Sequence, residues 1–214
     1  MNDLADRRQE ERERRRAEIV DAAEAVGTEV GIDAITMDEV ARKARLSRAL
    51  LYVYFQDRSE LLFAVCERGL EQLHRRFEAA AAQQATGRAQ ITAIGRAFVA
   101  FSRERSMHYD ALAKFAMHSP GERNLAPNEQ ACLSAGDRVQ RTMIGCIEQG
   151  ITDGSIRADI GPPGLVALTL WGYMHGIILL AKTKAVVIEH RGFDTDQLID
   201  HALRMASDAL AGRP

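Results

Sequence analysis

Few residues stand at spacings that could make or break bonds. Glu71-Gln72-Leu73-His74 is one half of the paired Glu-x-x-His pattern with which helices hold two irons, but the second half is absent. Surface ion pairing is the simpler role for Glu71 and His74. Cys66, Cys132 and Cys146 are odd in number and lack CxxC or CxxH spacing, so neither a disulfide framework nor a zinc site is indicated. They read as buried small hydrophobes. No Gly-rich phosphate loop occurs, and no catalytic residue, metal or cofactor is assigned, so the chain does not read as an enzyme. A different chemistry is offered between Arg42 and Arg58, where Arg42, Lys43, Arg45, Arg48 and Arg58 face Asp57 alone in a chain of net charge −2. Such a basic island among hydroxyl and aromatic side chains suits binding to phosphates and bases.

The elements that must position these groups are helical. Glu10/Arg14, Glu11/Arg15 and Arg14/Glu18 pair four apart, and Ile19, Ala23, Val26 and Val30 form one stripe, giving a first helix over Arg7 to Val30. Thr36 with Glu39 is a capping box for a short second helix carrying Val40, Ala41 and Ala44. Ser47 caps a third. Only Arg45 and Leu46 separate these two, a spacing that predicts a helix-turn-helix with Val40, Ala41, Ala44, Leu46, Leu51 and Tyr54 inside the corner. The outward residues of the third helix are then Arg48, Ala49, Tyr52 and Val53, placed to meet base edges in a major groove, with Ser47 and the helix N-terminus towards phosphate. A helical corner in an ordinary bundle, with the aromatics half-buried and the arginines solvated, is the plainer alternative.

Asp57 with Glu60 opens a long fourth helix through Phe77, and the remaining pattern gives a fifth through Phe98 and Phe101, a sixth over Met107 to His118, a seventh from about Pro127 to Gly150, an eighth from Pro162-Pro163 and a ninth after Asp194. No strand signal appears. The expected fold is all-α with about nine helices, divided into a head over residues 1–56 and a larger helical effector-binding and dimerisation bundle over residues 57–214. Leu165 to Ala181 is apolar on nearly every face and must be covered twice. A second copy of the chain can supply one cover, with Gly172 and Gly176 allowing close approach and Leu179, Leu203 and Leu210 completing the contact. The N-terminal stretch is too rich in Arg and Glu for a secretory signal, and no run approaches membrane-spanning length, so no membrane partner and a cytoplasmic location are expected.

From Ile35 to Val65 the chain resembles the TetR (tetracycline-repressor-like) family of regulators. The matching residues are Thr36-Met37-Asp38-Glu39-Val40-Ala41, Leu46-Ser47-Arg48, Leu51-Tyr52-Val53-Tyr54-Phe55 and Ser59-Glu60-Leu61-Leu62. The resemblance implies that Thr36 and Ser47 sit at the phosphate backbone, that Arg48, Ala49 and Tyr52 point towards bases, and that Tyr54 and Arg58 hold phosphates. It also implies a homodimer on a palindromic double-stranded DNA operator, acting as a repressor released by a small, largely apolar effector. Phe98, Phe101, Tyr109, Phe115, His118, Trp171 and His175 are the candidates to line that effector's pocket. A helical bundle that binds a ligand or catalyses without touching DNA is the competing reading. Three positions depart from the family's habits. Arg45 stands where many members have Gly, so it must adopt a left-handed conformation at about 1 kcal/mol or use another turn. Ala49-Leu50 replaces the commoner Gly-Thr, and Val53 replaces a frequent polar residue, leaving apolar contact with thymine methyl groups as compensation.

Overall fold

The computed structural model describes residues 3–116 and 125–212, and among them every regular element is helical. The helices are α1 (Asp3–Val30), α2 (Met37–Lys43), α3 (Arg48–Tyr54), α4 (Arg58–Ala82), α5 (Gly87–Glu104), α6 (Ser106–Ala116), α7 (Pro127–Thr152), α8 (Pro163–Thr183), α9 (Ala185–His190) and α10 (Thr195–Leu210), with a 3-10 turn at Ile32–Ala34. The helix beyond the expected nine is α9, whose six residues are too few to show a period. Two compact units divide the chain. One contains residues 1–69 and 106–134, the other residues 70–105 and 135–214. The first unit therefore takes in α6 and the start of α7, segments far beyond residue 56.

In the first unit, Ile19, Ala23 and Val26 of the α1 stripe are buried together with Ile35, Val40, Leu51, Phe55, Leu61 and Tyr109, whereas Val30, the last residue of α1, is exposed. Buried polar contacts fix the longer connections. Asp57 Oδ1 accepts from the Glu60 backbone N–H at 2.9 Å, capping α4. Glu60 is itself buried and accepts a hydrogen bond from the Asn128 side chain at the start of α7. His108 on α6 lies 3.1 Å from the Glu24 carboxylate on α1. Cys66 and Cys132 are both buried, as expected of small hydrophobes.

In the second unit, α10 packs on α8 and α5. The α5 N-terminus is capped by Thr86, and the Gly87 amide donates to Asp153 at 2.9 Å. Gly87 allows α5 and α7 to touch at backbone level, since a Cβ there would lie 2.1 Å from the Gly150 nitrogen and 2.3 Å from the Cys146 carbonyl oxygen. Asp194 and Gln197 form the capping box that starts α10.

Helix α8 corrects one expectation: it is long and apolar enough to cross a membrane, although no uninterrupted apolar run announces this. Thr169, Gly172, Tyr173, His175 and Gly176 break the run without lowering its average much. Only 22% of its most apolar window is buried within the chain, and Leu165, Leu168, Leu179 and Leu180 are exposed.

Candidate nucleic-acid interface and ligand slot

The turn between α2 and α3 is decided by Arg45. Its φ is 56°, the left-handed value that glycine adopts without strain. Two hydrogen bonds hold it there: the Arg45 amide donates to the Arg42 carbonyl at 3.2 Å and the Leu46 amide to the Ala41 carbonyl at 2.9 Å. This is the Schellman arrangement, which satisfies the last carbonyls of α2. At the other end, Thr36 Oγ1 accepts from the Glu39 amide at 3.2 Å and the Glu39 carboxylate accepts from the Thr36 amide at 3.3 Å, completing the expected capping box. Ser47 Oγ accepts from the Leu50 amide at 3.2 Å, so both short helices begin on a side-chain cap.

Between these caps, Leu51 and Phe55 anchor α3 in the core, while Arg48, Ala49, Tyr52 and Val53 are exposed. Val53 is 67% exposed, an apolar side chain held in water on the face that would read bases. Arg48 lies over the Tyr52 ring, 5.6 Å from its centroid, and pairs with Asp38 at 3.2 Å. Lys43 pairs with Glu29. The basic island is therefore partly neutralised by carboxylates that lie outside residues 42–58. Arg42 and Arg45 are exposed, and among the described residues they have no ion pair. Tyr54 is half-buried.

Arg58, which the resemblance implies holds phosphate, stands in the first turn of α4 with its guanidinium engaged by the chain's own backbone. Its Nε donates to the Ile35 carbonyl at 2.7 Å, and its Nη2 donates to the Ile32 and Asp33 carbonyls at 2.9 Å each. The guanidinium thus closes the end of the 3-10 turn that leads into Thr36. A buried or half-buried carbonyl without a donor is costly, so this position is bound by the protein itself.

The aromatic residues expected to line an effector pocket belong to both compact units. Within the second unit, Phe98 stacks on Trp171 at 4.9 Å between centroids, and His175 continues the stack at 6.2 Å from Trp171. Phe98 and Trp171 line an apolar slot with Phe77, Ile94, Met143, Leu170, Met174 and Leu203. Burial holds the His175 imidazole below its ordinary pKa. Phe101 is fully buried under Arg76. In the first unit, Tyr109 is fully buried, which pushes its phenol above the usual range. Phe115 meets Phe63 edge-on at 5.8 Å beside a separate cavity of about 340 Å³ that also contains Cys66 and Lys114. His118 lies outside the described residues.

Sequence reasoning missed Leu203 as a slot residue because a leucine stripe on a terminal helix does not say which neighbour it meets. Leu203 faces the slot and Leu210 is buried, whereas Gly172, Gly176 and Leu179 are exposed.

Two family models match this chain. One, "Bacterial regulatory proteins, tetR family", covers residues 19–65, and the other, "Tetracyclin repressor-like, C-terminal domain", covers residues 91–206, more than half of the chain. The chain belongs to the TetR family. The TetR helix-turn-helix match contains all of α2 and α3. A relative named HTH-type transcriptional regulator BetI, from Rhizobium meliloti (strain 1021), is 34% identical over 110 residues, covering 51% of this chain and 53% of that one. The chain spans about half the length, or less, of the curated relatives it matches. Among solved structures, a protein of unknown function from Rhodococcus sp. RHA1 aligns with a TM-score of 0.73 at 23% identity, over 92% of this chain and 95% of that one. FadR from Bacillus subtilis, solved in complex with stearoyl-CoA, aligns with a TM-score of 0.65 at 18% identity, over 91% and 98%. At these identities the likeness establishes a shared TetR fold.

Proposed function

We propose that this chain is a DNA-binding transcription regulator that acts in the cytoplasm as a homodimer on a palindromic operator, repressing until a small, largely apolar effector lowers its affinity. The observation that carries this reading is the outer face of α3, where Arg48, Ala49, Tyr52 and Val53 stand exposed on a helix that is anchored by Leu51 and capped by Ser47. A recognition helix needs that combination of a fixed base and a free face. In the docking proposed, Arg48 and Tyr52 meet base edges, Ala49 and Val53 meet thymine methyl groups, and Thr36, Ser47 and Tyr54 face phosphates. Arg58 acts indirectly, by fixing the approach to Thr36.

The dimer reading is supported by the uncovered side of α8. Leu165, Leu168, Leu179 and Leu180 are exposed there, and a Cβ at Gly172 or Gly176 would meet nothing within 4 Å. A second copy would bury this surface and set two reading heads about 34 Å apart or a multiple. The effector reading is supported by the Phe98–Trp171 slot, which suits an apolar ligand of the kind that stearoyl-CoA presents to the Bacillus subtilis protein. Helix α4 contributes residues to both compact units and is the proposed lever, because an effector can change DNA affinity only by binding the two states unequally.

A gel shift on the DNA upstream of the protein's own coding region, repeated across salt concentrations, tests the reading. Saturable, salt-sensitive binding that changes sequence preference in Arg48→Ala is the expected result. Absence of binding at low salt would favour a ligand-binding bundle without DNA function.

A further inference from the structure

The apolar slot of the second unit opens onto polar ground. Thr92 and Ser207, whose hydroxyl oxygens lie 3.3 Å apart between α5 and α10, line both the slot and an adjoining basin that holds Arg88 and Arg96. Arg88, Thr92 and Arg96 are spaced by four and share one face of α5, while Ile91, Gly95 and Phe98 on the neighbouring face line the slot. No carboxylate lines the basin, and among the described residues neither guanidinium has an ion pair. Arg88 and Arg96, about 12 Å apart along one helix face, are the charged residues that line the basin.

We infer that slot and basin form one head-and-tail site for an amphipathic carboxylate: the apolar chain enters beside Trp171, and the carboxylate rests between Arg88 and Arg96. The inference deepens the effector reading above and rests on it. The hydroxyls of Thr92 and Ser207 mark the neck where the ligand changes from apolar to polar. Arginine is suited to the head because its planar fork can hold a carboxylate through two parallel hydrogen bonds.

The slot is nearly filled by its own side chains, with about 30 Å³ free, room for roughly one water. Leu203 fills it against Gly95, so closely that a Cβ at Gly95 would lie 2.7 Å from Leu203 Cδ2. A chain entering here must push Leu203 aside and repack Met143 and Met174, whose unbranched side chains can move into new rotamers. Ligand entry is thereby tied to a displacement between α5 and α10.

Trp171 is the chain's one tryptophan and stacks on Phe98 inside the slot, so its fluorescence reports occupancy directly. The full-length protein is titrated, without DNA, with sodium dodecanoate, 1-dodecanol and dodecyltrimethylammonium. Dodecanoate is expected to give a saturable change in emission and to bind at least tenfold more tightly than the alcohol, with the cation weakest. In an Arg88→Gln/Arg96→Gln variant of unchanged circular dichroism, dodecanoate affinity should fall to that of the alcohol, whose own affinity stays the same. Equal binding of dodecanoate and dodecanol to the native protein overturns the head-group assignment and leaves the apolar slot standing. Silence with all three ligands overturns the slot as well. A carboxylate preference that persists in the double variant places the head elsewhere and also overturns the inference. DNA binding by gel shift is read separately on the same preparation.

Discussion

Arg58 Nε donates to the Ile35 carbonyl at 2.7 Å, and through this contact the first turn of α4 holds the strand of backbone that leads into the α2 cap. With two further carbonyls on its Nη2, the side chain replaces three bonds that water would otherwise have to supply in a half-buried place. Arg58→Ala should therefore destabilise the protein by about 2 kcal/mol, lowering Tm by about 5 °C. DNA affinity should fall with it, but the slope of log affinity against log salt should stay unchanged, because no phosphate contact is removed. Arg42→Ala removes an exposed charge of the basic island that has no ion pair among the described residues, and should do the reverse, leaving Tm nearly constant and lowering the slope by at most about 1. Salt-dependent gel shifts and thermal melts on both variants check this.

The positive φ of Arg45 makes a second expectation. Arg45→Gly removes a steric conflict of about 1 kcal/mol while keeping both hydrogen bonds of the turn. The greater freedom of glycine in the unfolded chain offsets part of that gain. The urea midpoint should rise or hold, and Arg45→Ala, which retains the strain, should show no rise. A lowered midpoint in Arg45→Gly would mean that the arginine side chain itself stabilises the turn.

At the uncovered face of α8, Leu168→Asp and Leu179→Asp place charges on exposed apolar positions. Stability of the isolated chain should change little, whereas light scattering should read a monomer mass in place of a dimer. Operator affinity should fall at least tenfold, since one recognition helix then reads one half-site. Retention of the dimer in both variants would place the contact on another surface.

Gly87→Ala tests the backbone contact between α5 and α7. The added carbon would meet main-chain atoms of Cys146 and Gly150, which have no rotamer to escape into. A loss of about 3 kcal/mol in chemical denaturation is expected. Gly145→Ala, where nothing lies within 4 Å, should be neutral or stabilising.

Burial lowers the pKa of His175, so the folded protein binds this proton more weakly than the unfolded chain does. The unfolded state holds more protons between the lowered folded value and the ordinary value of about 6.5, and stability therefore rises with pH across that window. The contribution is complete above about 6.5 and is lost as pH falls through the folded value. His175→Phe, which keeps an aromatic ring against Trp171, should flatten the dependence of Tm on pH below about 6.5. An unchanged slope would assign the dependence to other groups.

Local decisions are legible in short stretches of the chain. Capping at Thr36, Ser47 and Asp57, the stripe that buries Ile19, Ala23 and Val26, and the outward set Arg48, Ala49, Tyr52 and Val53 all follow from rules spanning four or five residues. Such rules act within one helix or one turn, so a linear reading captures them. Tertiary structure decided whatever depends on which distant residue arrives. Arg58 is bound to carbonyls of residues 32, 33 and 35, Lys43 and Arg48 are neutralised by Glu29 and Asp38, and Leu203 fills a slot rather than facing outward. Phe98 and Trp171 line the slot while Phe101, on the same helix as Phe98, is buried under Arg76, for the same reason: periodicity names the buried face of each helix but carries no record of its neighbour. At Arg45 the two levels meet, since the strain was legible in the residue type and its resolution required the hydrogen bonds that close the turn.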